Sequence, residues 1–170
     1  DVKVLAGGTF ILNSLKLLKT KGTKTAKNVL SLAKVDELKG IVLKDGTLTI
    51  KAMTTVNDLL ECCLLKDNLN VLHQVCRNIS TNPIRNMATI GGNLTCRYTW
   101  TEMGATMIAL NATMHFLSAD GVESSVSCED FFKNAARCDA LFTHVTIPHE
   151  PSAKTTYRRV KKTLHVDVPL

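Results

Sequence analysis

The spacing of apolar residues changes period along the chain, and each change marks an element. Residues 3–5 end in the apolar pair Val4-Leu5 and predict a short buried strand. The Gly7-Gly8 pair that follows opens backbone conformations closed to residues bearing a β-carbon. Ile11, Leu15 and Leu18 then mark one face of a helix, which Lys21-Gly22 ends. Residues 29–32 predict a strand, Val35 to Leu38 a helical turn closed by Gly40, and residues 41–43 another strand. Asp45-Gly46 signals a hairpin, and beyond it Leu48, Ile50 and Ala52 alternate with Thr47, Thr49 and Lys51, the period-two pattern of a half-buried strand.

Helical spacing returns at Thr55, where Thr55 and Asp58 have the separation of a capping box ahead of Val56, Leu59, Leu60, Cys63 and Leu64. Leu72, Val75, Cys76 and Ile79 predict a second helix, expected to stop near Thr81-Asn82 because Pro83 disfavours the helical conformation in the residue before it. Residues 83–100 read as a long irregular segment, and segments of that length are often functional. Met103, Thr106, Met107 and Leu110 resume a helix, with Thr101 as its expected cap. Residues 113–117 and 122–126 flank the Asp120-Gly121 turn as a hairpin. Leu141, Thr143, Val145 and Ile147 alternate before Pro148, and a last strand is expected over residues 156–160. Helices mixed with hairpins predict an α+β fold rather than a regular βαβ alternation. The glycine pairs lack both GxGxxG spacing and a P-loop lysine, which disfavours a Rossmann or P-loop domain.

Length and composition narrow the class. With 170 residues, 45% of them hydrophobic and 21% charged, the chain has the make-up of an ordinary globular protein. No apolar run approaches the ~20 residues of a membrane span. The chain starts at Asp1 without a basic, apolar leader, as expected for part of a longer protein. A net charge of +6 allows attraction to anions. The lysines at 16, 19, 21, 24 and 27, and the cluster Arg158, Arg159, Lys161 and Lys162, are not interleaved with aromatics. With 5% aromatic residues and no zinc-finger or RNP-like pattern, nucleic acid is not an expected partner. The cysteines at 62, 63, 76, 96, 128 and 138 have no metal or redox spacing, so free thiols in a reducing cytoplasm are expected.

Two glycine segments carry the candidate chemistry: Ala6-Gly7-Gly8-Thr9 and Thr89-Ile90-Gly91-Gly92-Asn93. A pyrophosphate presents several acceptor oxygens and negative charge. Clustered backbone N–H groups hold it well, and glycine lets the main chain approach. Thr9, Thr89 and Asn93 add side-chain donors.

The first segment, and more specifically the run from Ile84 to Leu94 (IRNMATIGGNL), resemble in order and separation the two signatures of the FAD-binding subunit in the xanthine dehydrogenase and carbon monoxide dehydrogenase family. The stretch between them, including Leu48 to Thr55, is also similar to that family. The resemblance implies a small N-terminal α/β subdomain, residues 1–40, and a larger, mainly antiparallel one, residues 41–170, with FAD extended between them. It implies FAD contacts at Val4, Leu5, Ala6, Gly7, Gly8, Thr9, Phe10 and Ile11, and at Thr89, Ile90, Gly91, Gly92 and Asn93. Further contacts are implied for Glu102, where the family usually has a sugar-binding aspartate, for Phe142 beside a ring of the cofactor, and for Arg158 near the isoalloxazine. Phe10 replaces a usual aspartate. The implied partners are a molybdopterin-binding large subunit and an iron–sulfur small subunit. Electrons would pass from the clusters through FAD to NAD or another acceptor, with no hydroxylation site on this chain. The family also has a lead-in segment and a C-terminal subdomain that this sequence lacks. Two other functions compete: a non-catalytic basic module docking on an acidic partner or nucleic acid, and a self-contained flavin oxidase or reductase. The second needs a catalytic acid or base, and the five histidines, 73, 115, 144, 149 and 165, are scattered.

Overall fold

The fold is taken from a computed structural model that describes residues 2–23, 28–98, 101–134 and 139–160. Lys24, Lys27, Trp100, Cys138, Lys161, Lys162 and His165 lie outside the described residues. Strand β1 (Val2–Leu5) leads into helix α1 (Ile11–Thr20), and β2 (Asn28–Ser31) returns parallel to β1 with Val4 opposite Leu30. After a 3-10 turn at Asp36–Leu38 come β3 (Ile41–Lys44), β4 (Thr47–Lys51), α2 (Val56–Glu61) and α3 (Asn70–Asn78). Helices α4 (Asn82–Arg85), α5 (Ile90–Thr95) and α6 (Glu102–Ala109) precede β5 (Thr113–Leu117), β6 (Glu123–Ser127), α7 (Cys128–Lys133) and β7 (Leu141–Pro148).

Strands β3 to β7 form one antiparallel sheet in the order β3-β4-β7-β5-β6. This is the expected α+β architecture. The hairpin at Asp45-Gly46 places both residues at positive φ, 49° and 71°, as its sequence predicts. Alternation on β4 buries Leu48 and Ile50 completely. They meet Met114, Phe142, Val145 and Ile147 from neighbouring strands, and the helices add Val56, Leu59, Leu72, Val75, Ile90, Leu94, Met103 and Met107. Each such side chain contributes roughly 1.5–3 kcal/mol by leaving water. A small second cluster, Leu32, Leu38 and Met53, with Ala6 and Leu141 packed against it, joins the two sheets.

Several boundaries differ from the sequence expectations. Helix α2 ends at Glu61, because Cys62 turns extended and buries Leu65 in place of Leu64. Helix α3 ends at Asn78, with Ser80 at φ 47°, and Pro83 sits in the first turn of a new helix rather than beyond an old one. The described part of the segment expected to be irregular, up to residue 98, therefore carries most of α4 and all of α5. Residues 156–160 form no strand. They belong to an extended strap along α3, where the Thr155 hydroxyl donates to the Asn68 carbonyl at 2.9 Å and the Tyr157 N–H to Gln74 Oε1 at 3.3 Å. Among the described residues no helix is long and apolar enough to cross a membrane.

Candidate cofactor site

The first glycine segment runs from the end of β1 into α1. Gly8 has φ +73°, where a side chain would be strained, and a Cβ there would lie 3.0 Å from Leu12 Cδ1. Helix α1 has Phe10 at its N-cap position, with no side-chain cap and no acid in its first turn. Among the described residues, the backbone N–H groups of Gly7, Gly8 and Thr9 have no protein acceptor. A helix start in this condition carries partial positive charge and donors that only solvent or a ligand can use.

The second segment is built differently. Thr89 caps α5, its hydroxyl accepting the Gly92 N–H at 3.1 Å. The Ile90 N–H donates to the Thr54 carbonyl at 2.9 Å, the Gly91 N–H to the Ala52 carbonyl at 2.8 Å, and the Asn93 N–H to the Thr89 carbonyl at 2.9 Å. The backbone donors of residues 90–93 are thus occupied within the protein. Its glycines answer to packing: a Cβ on Gly91 would lie 2.8 Å from the Ala52 carbonyl oxygen and 3.1 Å from Phe142 Cδ1. The segment also carries the Asn93 side chain, whose Oδ1 accepts from the Thr101 hydroxyl at 2.6 Å.

The two segments meet. A Cβ built on Gly7 would overlap the Met87 carbonyl oxygen, and one on Gly92 would lie 3.9 Å from Ala6 Cβ. Phe10 adds a ring contact with Tyr98, centroids 4.7 Å apart. The residues that the sequence singled out at 6–10 and 89–93 therefore share one locality. Val4 does not join them by burial, being 45% exposed on β1.

The outlying candidates divide. Phe142 is a core residue, in edge contact with Phe116 at 5.6 Å, and reaches the site only as the wall behind Gly91. Arg158 is exposed on the strap. Its neighbour Arg159, not selected by sequence, turns inward, donating to the Asn78 carbonyl at 2.9 Å and pairing with Glu102 at 2.8 Å. The side chains of this ion pair are only 17% and 14% exposed. Glu102 Oε1 meets Arg159 at ion-pair distance without hydrogen-bond alignment, and the buried Tyr157 hydroxyl makes no hydrogen bond with the described residues. Burial, reinforced by the charge of Glu102 and opposed by Arg159, raises the Tyr157 phenol above its ordinary range. Met87, Tyr98 and Thr101 were not among the site residues that the sequence singled out. A readable signal existed for Arg159, because inward and outward residues alternate along the strap and put Tyr157 and Arg159 on the same side.

Residues 1–150 match the family described as the FAD binding domain in molybdopterin dehydrogenase. The chain is 30% identical over 164 residues to the glyceraldehyde dehydrogenase medium chain of Sulfolobus acidocaldarius, which covers 94% of this chain and 57% of that one. It is 30% identical over 133 residues to the carbon monoxide dehydrogenase medium chain of Hydrogenophaga pseudoflava, with 78% and 44% covered. Among solved structures, a Cu,Mo-containing CO dehydrogenase in its cyanide-inactivated form superposes with a TM-score of 0.83 at 26% identity, covering 99% of this chain and 58% of that one. The chain spans about half the length of the relatives it matches.

Proposed function

The chain belongs to the family of FAD-binding domains of molybdopterin dehydrogenases, and we propose that it is the flavin-carrying electron-transfer part of a molybdenum hydroxylase, an oxidoreductase component. The partners in this proposal are a molybdopterin-binding large subunit and an iron–sulfur small subunit, in the cytoplasm. Bound FAD would supply a redox station between the iron–sulfur clusters and NAD or another acceptor. Residues 1–40 and 41–170 would be the two subdomains flanking it.

The observation that carries the proposal is the uncapped start of α1 beside α5. Three consecutive N–H groups at Gly7, Gly8 and Thr9 lack protein acceptors, and only Gly7 permits the approach to Met87 that brings Gly92 alongside. These donors suit a pyrophosphate, and the Asn93 side chain can add to them. Glu102, held at the start of α6 by its pair with Arg159, would place its carboxylate towards the hydroxyl-bearing part of the cofactor. Phe142 supports the site from behind Gly91, and Arg158 would contribute only positive charge at its edge.

A visible spectrum of the purified full-length protein tests this. Flavin bands near ~450 nm, or their appearance on adding FAD, are expected. A protein without the bands that also fails to take up FAD would exclude the function and favour a basic docking module.

A further inference from the structure

Thr101 occupies the N-cap position of α6, yet its hydroxyl makes no cap hydrogen bond. It donates instead to Asn93 Oδ1 at 2.6 Å. A side-chain amide has one acceptor end and one end with two donors, so a bond that occupies the oxygen fixes which way the donors face. Among the described residues the Asn93 Nδ2 group has no acceptor. Asn93 is the fourth residue after the Thr89 cap, in the segment that meets Ala6 and Gly7.

The residue after Thr101 is Glu102, held by Arg159, which also grips the end of α3 through the Asn78 carbonyl. An ion pair this enclosed resists loss of either member, because the remaining charge would stay buried without a counter-charge. The start of α6 is thereby tied to α3 and to the strap, and Thr101 has a fixed base.

We propose that Thr101 is a positioning residue that turns the Asn93 amide donor-outward, so that this segment, in which residues 90–93 give their backbone N–H groups to protein acceptors, offers the cofactor's anionic part an NH2 group, with the Glu102–Arg159 pair as the anchor. This rests on the FAD function proposed above. The second glycine segment then acts through one oriented side chain, and the first through its backbone.

Asn93→Asp separates orientation from folding. An aspartate accepts the Thr101 hydroxyl equally well but replaces the two donors with a charged acceptor. FAD titrations of the full-length protein, followed by flavin fluorescence quenching, would be paired with melting temperatures of the FAD-free variants. Loss of a charge-assisted bond predicts FAD binding weakened about 100-fold in Asn93→Asp, with an unchanged or raised melting temperature. Thr101→Val should bind about tenfold more weakly, and Thr101→Ser should restore wild-type affinity. Arg159→Met should weaken binding, with Arg159→Lys recovering part of it. Wild-type affinity in Asn93→Asp, or in Thr101→Val, overturns the positioning role while leaving the FAD function intact. Failure of the wild type to bind FAD overturns both.

Discussion

Gly7 lies against the carbonyl of Met87 so closely that no β-carbon fits between them. This contact joins residues 80 apart in sequence and brings the uncapped start of α1 beside the run that leads into α5. Gly7→Ala should therefore force the segments apart. Overpacking costs roughly 1–3 kcal/mol, but helix α1 contributes no buried residue, so the larger sheet should keep its melting transition while FAD retention is lost. Coincident loss of both would mean that the contact is a folding element and not a site element.

Gly91 and Gly92 should respond differently although they are adjacent. Gly91→Ala presses on the Ala52 carbonyl and on Phe142, and should lower global stability by roughly 1–3 kcal/mol. At Gly92 the neighbours are the Thr89 hydroxyl at 3.1 Å and Ala6 at 3.9 Å. Gly92→Ala should fold close to normally, and its effect should fall on FAD affinity. Urea melts paired with FAD titrations would distinguish them, and equal destabilisation by both would refute the assignment.

These contrasts also show which parts of the molecule the sequence made legible. The capping box at Thr55 and Asp58 and the alternation of Leu48 and Ile50 are local patterns, and the structure contains both. Helix α5 was hidden because two glycines give it poor intrinsic propensity; it is specified by the Thr89 cap and by bonds to residues 52 and 54, which are tertiary. Arg158 was singled out by its place in the family resemblance, while the alternation that puts Arg159 beside Tyr157 on the inner side of the strap was not used. Helix α7 was also unpredicted, although Ser127 and Asp130 spelled its cap, with the Asp130 N–H bonded to the Ser127 hydroxyl at 3.0 Å.

The thiols should divide by burial. Desolvation pushes Cys76 and Cys128 up to about 12, leaving roughly one thiolate in ten thousand at pH 8. Cys63 is exposed and Cys62 partly so. Brief treatment of the native protein with a thiol-specific alkylating reagent should modify Cys62 and Cys63 and spare Cys76 and Cys128, as peptide mass mapping would show. Early labelling at Cys76 would mean that α3 opens readily.

His115 and His144 face each other across β5 and β7 with their rings parallel, centroids 4.2 Å apart. Partial burial lowers both below the ordinary imidazole value of 6.5, and in His144 the neighbouring His115 and Lys51 lower it further, while Glu123 opposes the shift in each. A histidine whose folded-state value is depressed binds protons more readily in the unfolded chain. Its contribution to stability is therefore complete above about pH 6.5 and is lost as the pH falls below that value towards the depressed one. The wild-type protein should lose stability on acidification through this window before its carboxylates titrate. His144→Gln removes both one proton site and the repulsion felt by His115, so its unfolding free energy should fall less steeply over the same range. Chemical denaturation at several pH values measures the two slopes, and parallel slopes would assign the acid sensitivity to other groups.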